Sequence, residues 1–235
     1  MNRLVLCHRE ILDQQPRHGL EAAGRPEVQA AYEGMLKLAL ESAERNLQGP
    51  WDLVRLSGTA MSRTDLFEQN WRDLRELVRG SDGPVLWLDS DCLVIQPCDP
   101  WHWQEFRLFN RTDAPANPRW PIYLNCAVRL FPAGMNDQLW DLPGPWDHGL
   151  YDHEQERYNH MFWAGQPRDW HQPHLNYQVP GMRGLADGLR WQDWNGCAWD
   201  QVQILHYHGS RGAVHTLAHA QQLWHDLARG LGPDR

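Results

Sequence analysis

Two aspartates, Asp89 and Asp91, stand one residue apart where the apolar run Val85-Leu86-Trp87-Leu88 ends. Ionised side by side, they repel. A divalent cation with a preference for hard oxygen relieves that repulsion and carries a diphosphate on its remaining positions. There it stabilises the negative charge that grows on a departing phosphate. Acidic pairs of this spacing also occur in solvated turns, so the surrounding elements decide what this pair does.

What precedes the pair is a regular alternation of elements. Residues 4–7 (LVLC) read as a short buried strand, with a polar loop after them to about Arg25. Between Glu27 and Asn46, the residues Val28, Tyr32, Met35, Ala39 and Ala43 recur at helical spacing, and Gly49-Pro50 ends the run. Residues 51–58 alternate and break at Gly58, as a strand does. Ser62 or Thr64 caps a second helix whose stripe is Phe67, Trp71, Leu74 and Val78, and residues 80–84 stop it. Residues 85–89 are then a central buried strand.

Strand, helix, strand, helix, strand predicts an α/β fold with a mostly parallel central sheet flanked by helices. Ligands of such open sheets bind beyond the carboxyl ends of the strands, where Asp89 and Asp91 fall. Further on, residues 122–131 are strand-like and residues 135–140 begin a short helix. The stretch 165–199, rich in Trp, Pro, Gly and His, has no assignable pattern. After residues 204–209, the positions Leu217, Ala220, Trp224, Leu227 and Leu231 mark a closing amphipathic helix. No composition shift marks a domain boundary, so the 235 residues are read as one domain.

Composition narrows the partners. The formal net charge is −8 and no basic run occurs, which argues against the nucleic-acid backbone as a partner. Five cysteines, never spaced as CxxC, suggest neither a disulfide framework nor a thiolate zinc site. The N-terminal apolar stretch is too short for a signal peptide, and no window approaches a transmembrane span, so a cytoplasmic location is expected. Fourteen tryptophans exceed the usual share. Most pack the core, and exposed ones near a cleft would suit stacking against sugar rings.

Four segments, read in order, resemble family 8 of the glycosyltransferases, which includes glycogenin and bacterial lipopolysaccharide galactosyltransferases. WLDSDCLV (87–94) resembles the family's YLDxDxxV. YLNCAVRLF (123–131) resembles F-N-[AS]-G-V-x-L-F, with Cys126-Ala127 at the small-residue pair. EQERYN (154–159) resembles D-Q-D-x-x-N, with Glu at both acids. LHYHGSRG (205–212) resembles H-x-x-G-x-x-K-P-W, with the Lys-Pro-Trp ending absent and Arg211 one position early. The resemblance implies a GT-A-like single domain. About 1–100 would form its nucleotide-binding half, about 101–213 its sugar and acceptor half, and 214–235 its closing helix.

The same resemblance implies roles for individual residues. Asp89, Asp91 and His206 would be metal ligands for Mn2+ or Mg2+; imidazole beside two carboxylates suits Mn2+. His208 would face the opposite side of a strand. His215 and His219 have helical spacing but Thr216 where a zinc protease needs Glu, so they are read as surface or packing residues. Asn125 and Gln155 match amides that hold the donor sugar or lie beside its anomeric carbon, where an amide oxygen stabilises an oxocarbenium-like state. Glu154 matches an acid that hydrogen-bonds sugar hydroxyls. Arg72 and Arg211 are candidate donor and diphosphate contacts. Cys7 and His8 fall where the family cradles base and ribose.

The expected activity is metal-dependent transfer of a hexose from a UDP-sugar to a hydroxyl acceptor on a glycan, lipid-linked sugar or protein, with retention of configuration. Two alternatives stand beside it. One is a non-catalytic nucleotide-sugar or glycan-binding protein on the same fold. The other is a DxD-type phosphatase, which is disfavoured because Leu93 stands where its motif needs Thr or Val and because the pair lies two strands into the fold.

Overall fold

The computed structural model describes residues 1–12, 25–110, 122–142, 153–165, 171–179, 195–207 and 213–230. The first strand, β1 (Asn2–Ile11), is followed by helix α1 (Pro26–Asn46), whose first helical position is Pro26. That position lacks an intrahelical N–H partner in any case, so a proline costs nothing there. Strand β2 (Trp51–Ala60) leads to α2 (Arg63–Arg79). Of the two residues able to cap α2, Ser62 does so, its hydroxyl accepting from the Asp65 N–H at 3.1 Å.

Strand β3 (Val85–Leu88) follows, then the short β4 (Cys92–Val94), β5 (Arg107–Leu108) and β6 (Val128–Phe131). Helix α3 (His153–Ala164), β7 (Tyr177–Val179), β8 (Ile204–Tyr207) and α4 (Ala213–Ala228) complete the described elements. The closing helix therefore begins one residue before the expected 214. Short 3-10 turns cover Asp137–Asp141, Pro173–Leu175 and Trp199–Gln201.

The central sheet has the order β2-β1-β3-β6-β5. β1 pairs in parallel with β2 and β3, while β6 runs antiparallel to both β3 and β5. β6 alone is reversed, so the sheet is mostly parallel in strand direction and mixed in pairing. A second sheet, β4-β8-β7, stands beside it.

Side-chain alternation along the strands builds two cores. Leu4, Leu6, Leu86, Leu88, Val128 and Leu130 pack on one face with Ala39 and Ala43 of α1. Val5, Val85, Trp87 and Phe131 pack on the other with Leu74 and Val78 of α2 and Tyr158 and Phe162 of α3. A third cluster joins Met35 of α1, Leu223 and Trp224 of α4, and Leu93, Leu205 and Tyr177 of the small sheet. α1 and α4 approach closely at Gly34, where a β-carbon would meet a terminal methyl of Leu217 at 2.6 Å and displace it. No helix among the described residues is long and apolar enough to cross a membrane.

Two strands outrun their expected ends, β1 to Ile11 and β2 through Gly58 to Ala60, because their parallel pairing to each other continues past the apolar residues. Another element is shorter than its pattern. Residues 122–131 read as a continuous strand, yet only Val128–Phe131 pairs regularly. Upstream, the backbone satisfies its polar groups otherwise. Leu124 bonds through both N–H and C=O to the Asn159 amide, each at 2.8 Å, and the Asn125 N–H donates to the Asn110 carbonyl at 2.9 Å. One side-chain amide and one isolated backbone bond stand in for regular strand pairing there.

Candidate active site

Asp89 leaves the sheet at the carboxyl end of β3, its N–H bonded to the Ala127 carbonyl at 2.9 Å. The chain then turns at once: the Cys92 N–H donates to the Asp89 carbonyl at 3.0 Å, which closes Asp89-Ser90-Asp91-Cys92 and hands the chain to β4. β4 lies antiparallel to β8 with Cys92 opposite His206, and the Tyr207 N–H donates to the Asp91 carbonyl at 3.1 Å. The two sheets thereby bring the acidic pair and His206 together from distant parts of the sequence. His206 Nε2 lies 3.7 Å from Asp91 Oδ1.

The electrostatics of the pair follow from that crowding. Burial first, and the charge of Asp89 second, push the Asp91 carboxyl up to about 8. Asp89 itself is turned towards a buried cation. Its Oδ1 accepts from Trp87 Nε1 at 2.6 Å and from Arg129 Nη2 at 3.0 Å. Among the described residues no three His, Cys, Asp or Glu side chains are drawn together closely enough to enclose a cation. The donor set suits one all the same. Two hard carboxylates and an imidazole are ligands Mn2+ accepts, and a cation would offset both the burial and the Asp89 charge that raise Asp91.

Arg129 is the residue that sequence reasoning missed. It is the cross-strand partner of Trp87, its side chain is 1% exposed, and it sits between aromatic rings. Its guanidinium carbon is 4.6 Å from the centroid of Trp87 and 4.3 Å from that of Tyr158. Nη1 donates to Glu154 Oε1 at 2.6 Å, Nη2 to Asp89, and Nε to the Cys126 carbonyl. Burial alone would pull its pKa down. The charge of Glu154, with smaller contributions that include Asp89, holds it well above its ordinary value. A signal for it was present: in the buried strand VRLF, Arg129 is the one charged residue.

The other candidate residues distribute as follows. Asn125 is buried, and its Oδ1 accepts from the Ala127 N–H at 2.9 Å and from Asn176 Nδ2 at 3.1 Å. A contact with a donor sugar would come from its Nδ2. Glu154 and Gln155 are neighbours on α3. Glu154 points to Arg129, whereas half-buried Gln155 projects about 100° around the helix. Cys7, one step past the Leu6–Leu88 pair, comes alongside Asp89, and its thiol donates to Asn70 Oδ1 at 3.2 Å. Burial pushes that thiol up to about 11, with the charge of Arg9 opposing and those of Glu154 and Asp89 adding. His8, beside it on β1, is 4.0 Å from Glu33 Oε1.

Arg72 lies exposed on α2, its Nε donating to the Glu68 carbonyl of its own helix. Arg211 and His208 lie outside the described residues. His219 packs edge-on against Tyr207 with its Nδ1 3.2 Å from the phenolic oxygen, and His215 is exposed, as expected of packing and surface residues. Asn159, the last residue of EQERYN, anchors α3 to the segment that carries Asn125 through its two bonds to Leu124.

No family model matches the sequence, and no curated protein matches it. Solved structures do. The chain is similar to a glycosyltransferase involved in the glycosylation of the major capsid of PBCV-1, with a TM-score of 0.55 and 14% identity over 94% of this chain and 98% of that one. It is similar to the glycosyltransferase GlyE of Streptococcus pneumoniae TIGR4, with a TM-score of 0.53 and 15% identity over 97% of this chain and 62% of that one. It is also similar to the galactosyltransferase LgtC, solved with donor and acceptor sugar analogs, with a TM-score of 0.52 and 14% identity over 99% and 97%. At these identities the likeness establishes the fold, which is that of the GT-A glycosyltransferases.

Proposed function

We propose that the chain is a metal-dependent glycosyltransferase that moves a hexose from a UDP-sugar to a hydroxyl acceptor, with retention of configuration. The observation that carries this reading is the meeting of Asp91 and His206, 3.7 Å apart at the carboxyl edge of the sheet and beside Asp89. An acidic turn without a metal role has no need of an imidazole delivered from a second sheet. The fold shared with glycosyltransferases supports the same reading, and the site carries the activity claim.

Asp89, Asp91 and His206 would hold Mn2+ or Mg2+, which supplies Lewis-acid stabilisation to the leaving diphosphate. Cys7 and His8, within β1 just past the end of its pairing with β3, would line the nucleotide side. Arg72 would reach the donor by leaving the Glu68 carbonyl, and Arg211 would neutralise phosphate oxygens. Asn125 and Gln155 would orient the sugar, with the Gln155 amide oxygen available to positive charge at the anomeric carbon.

The reading is tested by incubating the protein with UDP-glucose or UDP-galactose and Mn2+ and following release of UDP. Turnover that needs metal and disappears in Asp91→Asn supports it. Metal-dependent UDP-sugar binding with no turnover, across a range of sugar acceptors, would assign the chain to non-catalytic binding proteins instead.

A further inference from the structure

Glu154 occupies the position where the resembling segment D-Q-D-x-x-N has an aspartate, and its length has a use in this structure. Its side chain is 10% exposed and reaches Arg129 Nη1 at 2.6 Å. Arg129 is buried deeper still, and its other donors go to Asp89 and to the Cys126 carbonyl. The guanidinium plane is held between Trp87 and Tyr158. Glu154 therefore touches Asp89 through one rigid, fully charged group. An aspartate on the same turn of α3 would stop one methylene short of it.

The counterpart of that length is the arginine itself. Position 129 falls at the variable residue of F-N-[AS]-G-V-x-L-F, on the face of β6 that points at Trp87. A cation buried there needs carboxylates, because an unpaired charge in an apolar core is costly. Asp89 supplies one and Glu154 the second. Arg129 Nη2 and Trp87 Nε1 donate to the same oxygen of Asp89, which orients the carboxylate.

We infer that Glu154 and Arg129 are a matched pair of positioning residues: Glu154 holds the guanidinium, and the guanidinium fixes the carboxylate of Asp89 for metal ligation. The acid at 154 thus acts on the metal side of the site rather than as the partner of a sugar hydroxyl. This inference rests on the metal role proposed above for Asp89. Outer partners of metal ligands commonly change metal affinity by an order of magnitude or more, because they set ligand orientation and basicity.

The test is Mn2+ affinity without any nucleotide, read from the electron paramagnetic resonance signal of free Mn2+, in the wild type, Glu154→Asp, Glu154→Gln and Arg129→Lys. Glu154→Asp keeps the charge and loses the reach; Glu154→Gln keeps the reach and loses the charge. The pair predicts that Glu154→Asp and Arg129→Lys each weaken Mn2+ binding on the order of tenfold. Glu154→Gln is affected less. Circular dichroism verifies that each variant is folded, and Arg129→Lys decides the matter if Glu154→Asp does not fold. Unchanged Mn2+ affinity in the folded variants, with only the donor KM raised, would overturn the inference and restore the sugar-hydroxyl role. Effects following charge, with Glu154→Gln the weaker binder, would also overturn it. A wild type that binds no Mn2+ would remove the functional reading together with the inference.

Discussion

His206 Nε2 stands 3.7 Å from Asp91 Oδ1 because β8 runs antiparallel to β4 with His206 opposite Cys92, the residue that follows the acidic pair. One backbone bond, from the Tyr207 N–H to the Asp91 carbonyl, extends that register into the turn. The Asp91–His206 geometry is thus a property of the small sheet, and changes to either strand end should be felt there.

The raised carboxyl of Asp91 gives the metal-free protein a pH-dependent weakness. Its pKa is about 8 in the folded chain, against about 4 for an unfolded aspartate. A carboxyl raised in this way holds its proton more tightly when folded. Its cost is absent below the unfolded value, and grows as the pH climbs towards the folded one. Between about pH 5 and pH 8, Tm should fall further in the wild type than in Asp91→Asn, each kcal/mol being worth ~2–4 °C at this chain length. Adding Mn2+ at pH 8 should remove most of the difference. Parallel thermal melts of the two proteins without metal would contradict the claim.

Arg129 should be costly to remove. Arg129→Met keeps much of the volume between Trp87 and Tyr158 and removes the guanidinium that Glu154 and Asp89 share. Breaking a buried ion pair from one side costs roughly 3–5 kcal/mol. Urea unfolding should show a loss of that order, and the double change Arg129→Met with Glu154→Met should recover part of it. A double variant no more stable than the single one would show that the charges are not coupled.

How much of this was legible beforehand depends on the range of the forces involved. The strand-helix-strand-helix-strand order up to Asp89 shows in the sequence because apolar periodicity and caps are local signals, and Ser62 and Pro26 sit where such rules put them. His206 was reached through resemblance alone, since nothing local in ILHYHG distinguishes a ligand from a packed histidine. Residues 122–127 pattern as a strand, because the apolar pattern is the same whether the partner is another strand or the Asn159 amide and the Asn110 carbonyl. Helix α3 has only a weak periodic signal, and β4, β5 and β7 are too short for any. Arg129 needed the cross-strand register with Trp87 before its place beside Asp89 could be seen.

Asn159 tests the anchoring of α3 to the donor side. Its amide accepts from the Leu124 N–H and donates to the Leu124 carbonyl, both at 2.8 Å. Asn159→Ala leaves both groups buried without that partner, at about 1–3 kcal/mol for an orphaned polar group. Denaturant unfolding should register the loss. Because Asn125 is the next residue along, the donor KM should rise with kcat less affected. Full stability and an unchanged KM would mean that the segment is held from elsewhere.

If Asp89 and Asp91 carry a metal that holds a diphosphate, one titration shows it directly. UDP-glucose and UDP-galactose are titrated calorimetrically into the wild type with Mn2+, into the wild type with a chelator, and into Asp91→Asn with Mn2+. Saturable binding of at least one donor in the first case, lost in the other two, is the predicted result. Binding of equal strength in all three, or none in any, would contradict it.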